Sequence, residues 1–407
     1  MKIIPGGVTA PIGFEAAGIE AGIKYQNRKD MAIIYSQQPC IAAGTFTSNV
    51  VKAAPVKWDK QLVEQSPFIQ AIIVNTGIAN AGTGPEGMRC TKETAEKAGE
   101  LLNLPAEAVL IGSTGVIGPL LPMDRIKEGL IRLIQEKKHT KEAGTDAAKA
   151  IMTTDTVHKE CAVEIQIGGK TVTLGAISKG SGMIHPNMCT MLSYVVTDAV
   201  ISKENLTALV KADVKDTYNM ISVDGDTSTN DTFLVLANGM AGNPEILPGT
   251  PDWEIFKEAL HFINETQAKR LAGDGEGATA LVECLVKNAD TKENARILAR
   301  SVISSNLTKA AIFGKDANWG RILCALGYSG AAFDPEKMEI FYEGGGESIL
   351  LYQDGLGLDF DEEKAIRILS LPEVRIVADM RMGSVQATAW GCDLTYDYVK
   401  INGDYRT

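Results

Sequence analysis

Thr190 stands at the end of a glycine-rich, proline-containing loop and at the head of an apolar run, in the stretch KGSGMIHPNMCTMLSYVVTD from Lys179 to Asp198. The run Met191–Val196 reads as a buried strand. A threonine hydroxyl is a weak nucleophile unless a base sits beside it. Were the bond between Cys189 and Thr190 cut, Thr190 would carry its own base, a new α-amino group. Such an amine has a reference pKa of about 7.7–8.0, against about 10.4 for a lysine. It could take the hydroxyl proton at neutral pH, so that one residue would be both nucleophile and base. The same residues also read as an ordinary loop entering a core strand, because Thr is common at strand starts.

Other residues carry possible chemistry of their own. Ser113-Thr114-Gly115-Val116-Ile117-Gly118 lies at a strand end, where small residues let backbone N–H groups face a reacting carbonyl. An oxyanion hole needs such donors, although a plain strand-to-helix turn has the same composition. Lys179 reads as a solvated turn lysine, and Glu276, in Gly273-Asp274-Gly275-Glu276-Gly277, as a turn glutamate. Asn402 and Thr407 fall in what would ordinarily be a frayed tail. Gly314-Lys315 lacks the spacing of a Walker loop, which rules out that phosphate site.

With only His139, His158, His185 and His261, a Ser-His-Asp triad has few candidates. His139 and His261 read as surface or core histidines. The seven cysteines form no C-x-x-C pair, which argues for reduced thiols and against a structural zinc. The net charge of −11 argues against a nucleic-acid partner. Pro5, Gly6, Gly7 and Pro11 interrupt any signal-peptide core, and no run approaches the roughly 18 apolar residues of a membrane span. A soluble, cytoplasmic protein without a membrane partner is expected.

At 407 residues the chain is too long for one core of usual size, so two or more domains or subdomains are expected. The glycines and prolines of Gly239–Thr250 mark a candidate boundary. Periodicity predicts strands at Ile69–Val74, Val109–Ile111, Thr232–Ala237, Ala278–Val286, Glu339–Tyr342, Glu373–Ala378, Val385–Trp390 and Leu394–Val399. It predicts helices at Glu86–Leu102, Pro122–Glu136, Lys203–Asn219, Pro251–Ala272, Ala295–Ser305 and Trp319–Leu326. Cys161–Ile167 and Thr171–Ile177 flank Gly168-Gly169, the signature of a hairpin with a two-residue turn. Interleaved and antiparallel elements together predict a mixed α/β (α+β) class with stacked layers.

The loop before Thr190 resembles the self-cleaving segment of the glutamate N-acetyltransferase family, also called ornithine acetyltransferases, of arginine biosynthesis. The resemblance runs from Gly6-Gly7-Val8-Thr9-Ala10 to Asp404-Tyr405-Arg406-Thr407. It departs at Cys189, where the family usually has Ala, and at Thr76 and Ile78 in Asn75-Thr76-Gly77-Ile78-Ala79-Asn80-Ala81, a stretch read as shaping the site. Gly314–Arg321 also looks like a family signature. The resemblance implies a layered sandwich of the Ntn-like, self-processing type. It implies cleavage into fragments 1–189 and 190–407, two such pairs forming an α2β2 heterotetramer. It makes Thr190 the nucleophile and assigns the oxyanion hole to Thr114 and Gly115. Substrate binding falls to Lys179, Glu276, Asn402, Thr407 and one of Thr153 and Thr154.

The activity implied is transfer of acetyl from N2-acetyl-L-ornithine to L-glutamate through acetyl-Thr190, with no metal or redox cofactor. Some family members also take acetyl-CoA as donor, and the sequence leaves that open. Two other readings stand beside it: a self-processing aminopeptidase or amidase, in which water reaches the acyl-enzyme, and a metabolite-binding protein with an uncut chain.

Overall fold

The computed structural model describes residues 1–185 and 191–404, so Cys189, Thr190 and Thr407 lie outside the described residues. The chain forms two compact units. The first comprises residues 1–180, 187–215 and 227–267, and the second residues 181–186, 216–226 and 268–407. Gly239–Thr250 lies inside the first unit. The units part instead within the helix Pro251–Gly273 and at the short segments around residues 181 and 216.

The first unit is built on a nine-stranded sheet. Its order is Lys2–Ile4, Lys159–Ile167, Lys170–Lys179, Leu192–Thr197, Thr232–Ala237, Met31–Phe46, Ile69–Ile78 and Val109–Val116, with Phe14–Ile19 also paired to Met31–Phe46. The pair Leu192–Thr197 and Thr232–Ala237 is parallel, as is the pair Ile69–Ile78 and Val109–Val116. Every residue of Ile69–Ile78, Leu192–Thr197 and Thr232–Ala237 is buried, as strands covered on both faces must be.

The alternation of Ile69–Ile78 shows what does the covering. Ile72 and Val74 join a cluster with Leu62 and Val63 of the helix Ala54–Gln65 and Ala147 of Lys141–Ala150. Ala71 and Ile73 point the other way, into a cluster with Ala95 and Ala98 of Gly84–Leu102 and Leu130 and Leu133 of Met123–Glu136. Helices therefore cover both faces of the sheet, the mixed α/β layering expected.

The hairpin Lys159–Ile167/Lys170–Lys179 turns on Gly168 and Gly169, both with positive φ (54° and 78°), which glycine adopts without strain.

The second unit carries a seven-stranded sheet ordered Leu356–Gly357, Glu347–Gln353, Glu339–Gly344, Glu373–Asp379, Leu281–Ala289, Val385–Cys392 and Ile221–Ser222. The helix Lys292–Ser304 packs on it and starts at Thr291, whose hydroxyl accepts from Asn294 N.

Two sequence expectations are corrected. The predicted strand Leu394–Val399 is instead the start of a helix, Tyr396–Gly403, because Thr395 caps it by accepting from Tyr398 N. The helix expected over Lys203–Asn219 stops at Asp213, and Tyr218–Met220 is a separate 3-10 turn.

Candidate active site

The residues expected to act fall in both units. In the first, Val109–Val116 is longer than its apolar core Val109–Ile111, so Ser113, Thr114 and Gly115 lie on the strand itself. Thr76 pairs with Thr114 and Gly77 with Gly115, after which the register shifts at Ile78. Gly115 has φ +128°, and a Cβ there would meet Gly77 C at 2.2 Å. Both facts demand glycine. The end of the strand is stapled from both sides. Ser113 Oγ donates to Asn75 Oδ1 (2.5 Å) and Asn75 Nδ2 to Ile78 O (2.9 Å). Asn230 Nδ2 donates to Ala79 O (2.6 Å) and Ser113 O (2.8 Å). The expectation that Asn75–Ala81 shapes the site fits this geometry. Asn230 lies in the polar stretch Asp224–Asp231 and no motif marks it.

Lys179 is no solvated turn residue. It ends the strand Lys170–Lys179, is 7 % exposed, and donates from Nζ to Thr114 Oγ1 (3.3 Å). Its strand partner is Leu192, two residues past Thr190 in sequence. Lys179 and Thr114 are thus together, beside the strand Leu192–Thr197.

Asp155 anchors the neighbouring backbone. Its Oδ1 accepts from Gly180 N (2.7 Å) and Lys159 Nζ (2.7 Å), and its Oδ2 from Thr153 N (2.9 Å). Both side chains of the Asp155–Lys159 pair are fully buried. Burial alone would push the Asp155 carboxyl up. The Lys159 and Lys179 charges, the Lys159 hydrogen bond and the Gly180 N–H overcome that and hold it well below the usual carboxylate range. Thr153 is buried and Thr154 half-buried, and their segment is joined to Lys179-Gly180 through Asp155.

In the second unit, Glu276 is buried and accepts from Asn402 Nδ2 at Oε2 (2.6 Å). Its own N–H donates to Ser181 O (3.0 Å). Gly182 leaves room for the Glu276 carboxyl, since a Cβ on Gly182 would lie 2.4 Å from it. The expected substrate residues Glu276 and Asn402 are therefore together, with Asn402 on the helix Tyr396–Gly403 rather than in a frayed tail.

Asp224 holds the segment before the loop. Its oxygens accept from Met183 N (2.6 Å), Ile184 N (2.8 Å) and Tyr398 Oη (3.2 Å). His185 Nδ1 lies 3.0 Å from Ser222 Oγ and its Nε2 3.1 Å from Arg300 Nη2. Burial, then the Arg300 charge, push His185 down to about 4, so it is neutral at pH 7. His139 and His261 serve structure, at 2.7 Å from Phe14 O and 2.6 Å from Asp213 Oδ1.

Among the described residues no cluster of His, Cys, Asp and Glu is arranged to hold a metal ion. No described helix is long and apolar enough to cross a membrane.

Three comparisons bear on this arrangement. The model of the ArgJ family matches residues 15–407. A relative from Thermotoga neapolitana, named arginine biosynthesis bifunctional protein ArgJ, is 50 % identical over 98 % of this chain and 99 % of its own. Another of the same name, from Symbiobacterium thermophilum, is 51 % identical over the whole of both chains. A solved chain of arginine biosynthesis bifunctional protein ArgJ from Bacillus halodurans is 43 % identical, covers 52 % of this chain and 97 % of its own, and has a TM-score of 0.50. With a family model spanning nearly its whole length and relatives at half identity throughout, the chain belongs to the ArgJ family.

Proposed function

We propose that this protein is a self-cleaving N-acetyltransferase of arginine biosynthesis, which moves acetyl from N2-acetyl-L-ornithine to L-glutamate through an ester on Thr190. The observation that carries it is the buried Lys179. Its ammonium touches Thr114 Oγ1, and its backbone is paired with Leu192. The expected oxyanion donor and the strand that begins two residues after the expected nucleophile share one residue.

The chemistry follows in two stages. In the first, Thr190 Oγ attacks the Cys189 carbonyl carbon. The C–N bond breaks, and the hydroxyl proton ends on the departing nitrogen. Water then hydrolyses the ester, leaving the Cys189 carboxylate and a free α-amine on Thr190. In the second, that amine takes the Thr190 hydroxyl proton while Oγ attacks the acetyl carbonyl, and it returns the proton to the departing α-nitrogen of ornithine. The α-amine of glutamate attacks the acetyl ester, and Thr190 regains its proton. Each tetrahedral oxyanion would be met by the Thr114 hydroxyl and the Gly115 N–H, and one such donor is worth about 2.7–4 kcal/mol of barrier.

One amide is exchanged for another, so the transfer needs no energy source, metal or redox cofactor. The relatives are named as bifunctional proteins, and a second activity of this chain would be acetylation of glutamate from acetyl-CoA, as the family resemblance allows. Glu276, held by Asn402, suits an amino-acid ammonium. Lys179, one of Thr153 and Thr154, and Thr407 complete the assigned substrate contacts. Such an enzyme would work in the cytoplasm, where its thiols stay reduced.

Cleavage is supported by the solved Bacillus halodurans chain, which is only about half as long as this one, as either product of a cut after Cys189 would be. The family resemblance adds the α2β2 assembly.

The test is a matched assay on the purified protein. Ornithine release that depends on glutamate, with one acetyl mass trapped on the fragment beginning at Thr190 when glutamate is withheld, is expected. Release at the same rate into water alone would make it a hydrolase, and a single uncut band on a denaturing gel would remove the self-cleaving enzyme altogether.

A further inference from the structure

We infer that Lys179 is a positioning residue for the oxyanion hole, acting through the Thr114 hydroxyl, beyond the substrate contact that the family resemblance assigns to it. The inference rests on the reading of Thr190 and Thr114 given above.

A lysine ammonium has three donors and no acceptor. At 3.3 Å from Nζ, Thr114 Oγ1 must therefore be the acceptor. An oxygen that accepts from Lys179 turns its own proton away from the lysine. Thr114 is thereby fixed as a donor toward whatever lies on its other side. An unrestrained threonine hydroxyl rotates to suit its neighbours and can face a carbonyl with either a proton or a lone pair. Orientation in advance is what an oxyanion hole requires, because nothing then has to reorganise when the charge develops. The lysine also adds a positive charge within one atom of the donor, in a buried setting where charges act more strongly than in water.

The backbone around Lys179 is built to hold this geometry. Lys179 is the last residue of a strand paired on one side with Lys159–Ile167 and on the other with Leu192–Thr197. The next residue, Gly180, has φ +156° and gives its N–H to Asp155 at 2.7 Å. Asp155 is itself fixed by the buried Lys159 and by Thr153 N. Thr114 is fixed on the other side by the Asn75 and Asn230 staples at Ser113. The 3.3 Å contact is thus made between two braced backbones.

Self-cleavage separates this role from substrate binding, since the uncut chain forms an oxyanion at Cys189 with no substrate present. The experiment uses the full-length chain with Lys179→Met, Thr114→Val and the double variant, each checked for native melting. It follows the half-time of cleavage, then kcat and KM for acetylornithine after cleavage is complete.

Losing one oxyanion donor costs about 10²–10³ in rate, so Thr114→Val should slow both reactions by that order. Lys179→Met is expected to slow cleavage and kcat together, by roughly tenfold or more, in addition to any rise in KM from its lost substrate contact. The double variant should be no slower than Thr114→Val. If Lys179→Met does not fold, Lys179→Gln is read by the same criteria.

Cleavage at the wild-type rate with only KM raised would overturn the inference and leave a substrate-binding lysine. Multiplicative losses in the double variant would overturn it as well. Cleavage and turnover by Thr190→Ala would mean that the nucleophile assignment has failed, which is a different result.

Discussion

Replacing Asp155 with Asn tests whether a buried ion pair organises the surroundings of Lys179 in the first unit. Asp155 and Lys159 have fully buried side chains, with Nζ 2.7 Å from Oδ1. Three donors converge on the carboxylate: Lys159 Nζ, Gly180 N and Thr153 N. An asparagine can offer its oxygen to one side only, so its NH2 group must face at least one of these donors. The variant also leaves the Lys159 ammonium buried without its carboxylate. Breaking a buried pair from one side costs about 3–5 kcal/mol.

Pairing Asp155→Asn with Lys159→Met removes both charges and should recover a large part of that loss. The pH dependence has a definite sign. The folded carboxyl is held below its unfolded value, so its contribution is fully present above about pH 4, the ordinary aspartate range, and is lost as pH falls through the lower folded pKa. Asp155→Asn should therefore lose stability at pH 7 and lack this acid-dependent step. Urea unfolding of the uncut Thr190→Ala chain at pH 7 and at stepwise lower pH measures both effects. A variant within 1 kcal/mol of its parent, with the same acid sensitivity, would refute the argument.

Gly115→Ala should stop self-cleavage with little secondary-structure change, because a Cβ there meets Gly77 C at 2.2 Å and φ is +128°; a gel showing normal cleavage would contradict this. Asp59→Asn should stabilise the protein at pH 7–8 by about 1–3 kcal/mol, since Asp59 Oδ2 and Tyr194 Oη are buried without a hydrogen-bond partner among the described residues. Burial, only partly offset by the Ile111 N–H, raises the Asp59 carboxyl well above its usual range. Its contribution is thus complete below about pH 4 and lost as pH rises through the folded pKa, so melting curves should show the gain of Asp59→Asn shrinking toward pH 4. The cleaved fragments should co-elute on size exclusion until the protein unfolds, because Leu192–Thr197 and Thr232–Ala237 lie in the sheet between Lys170–Lys179 and Met31–Phe46, each bonded to strands on both sides.

Much of the framework was legible in the sequence where one physical signal dominated. Thr232–Ala237 appears as predicted, because a six-residue apolar run buried on both faces has no competing period. The Gly168-Gly169 hairpin was legible because a two-residue turn with positive φ restricts its residue types. No strand is legible before Ile69, although Phe14–Ile19 and Met31–Phe46 are strands there. Phe14–Ile19, rich in alanine and glycine, has little β propensity and is a strand by virtue of its long partner. Leu394–Val399 misled in the opposite way, where a single cap at Thr395 outweighed an alternating pattern.

The site divides along the same line. Thr114, Gly115, Lys179, Glu276 and Asn402 could be named in advance from motif resemblance, each within its own short stretch. What joins them could not. The Lys179–Thr114 contact spans 65 residues, the Asn402–Glu276 contact 126 and the Asn230–Ser113 staple 117. No local period encodes a contact at such separations. Asp155 shows the difference most clearly. As the third residue of Thr-Thr-Asp it looks like part of a substrate loop. Its burial with Lys159 and its hold on Gly180 make it a brace for the lysine that touches Thr114. A motif can propose which groups react, but a long-range pairing, Lys179 Nζ on Thr114 Oγ1, decides which way the Thr114 hydroxyl proton turns.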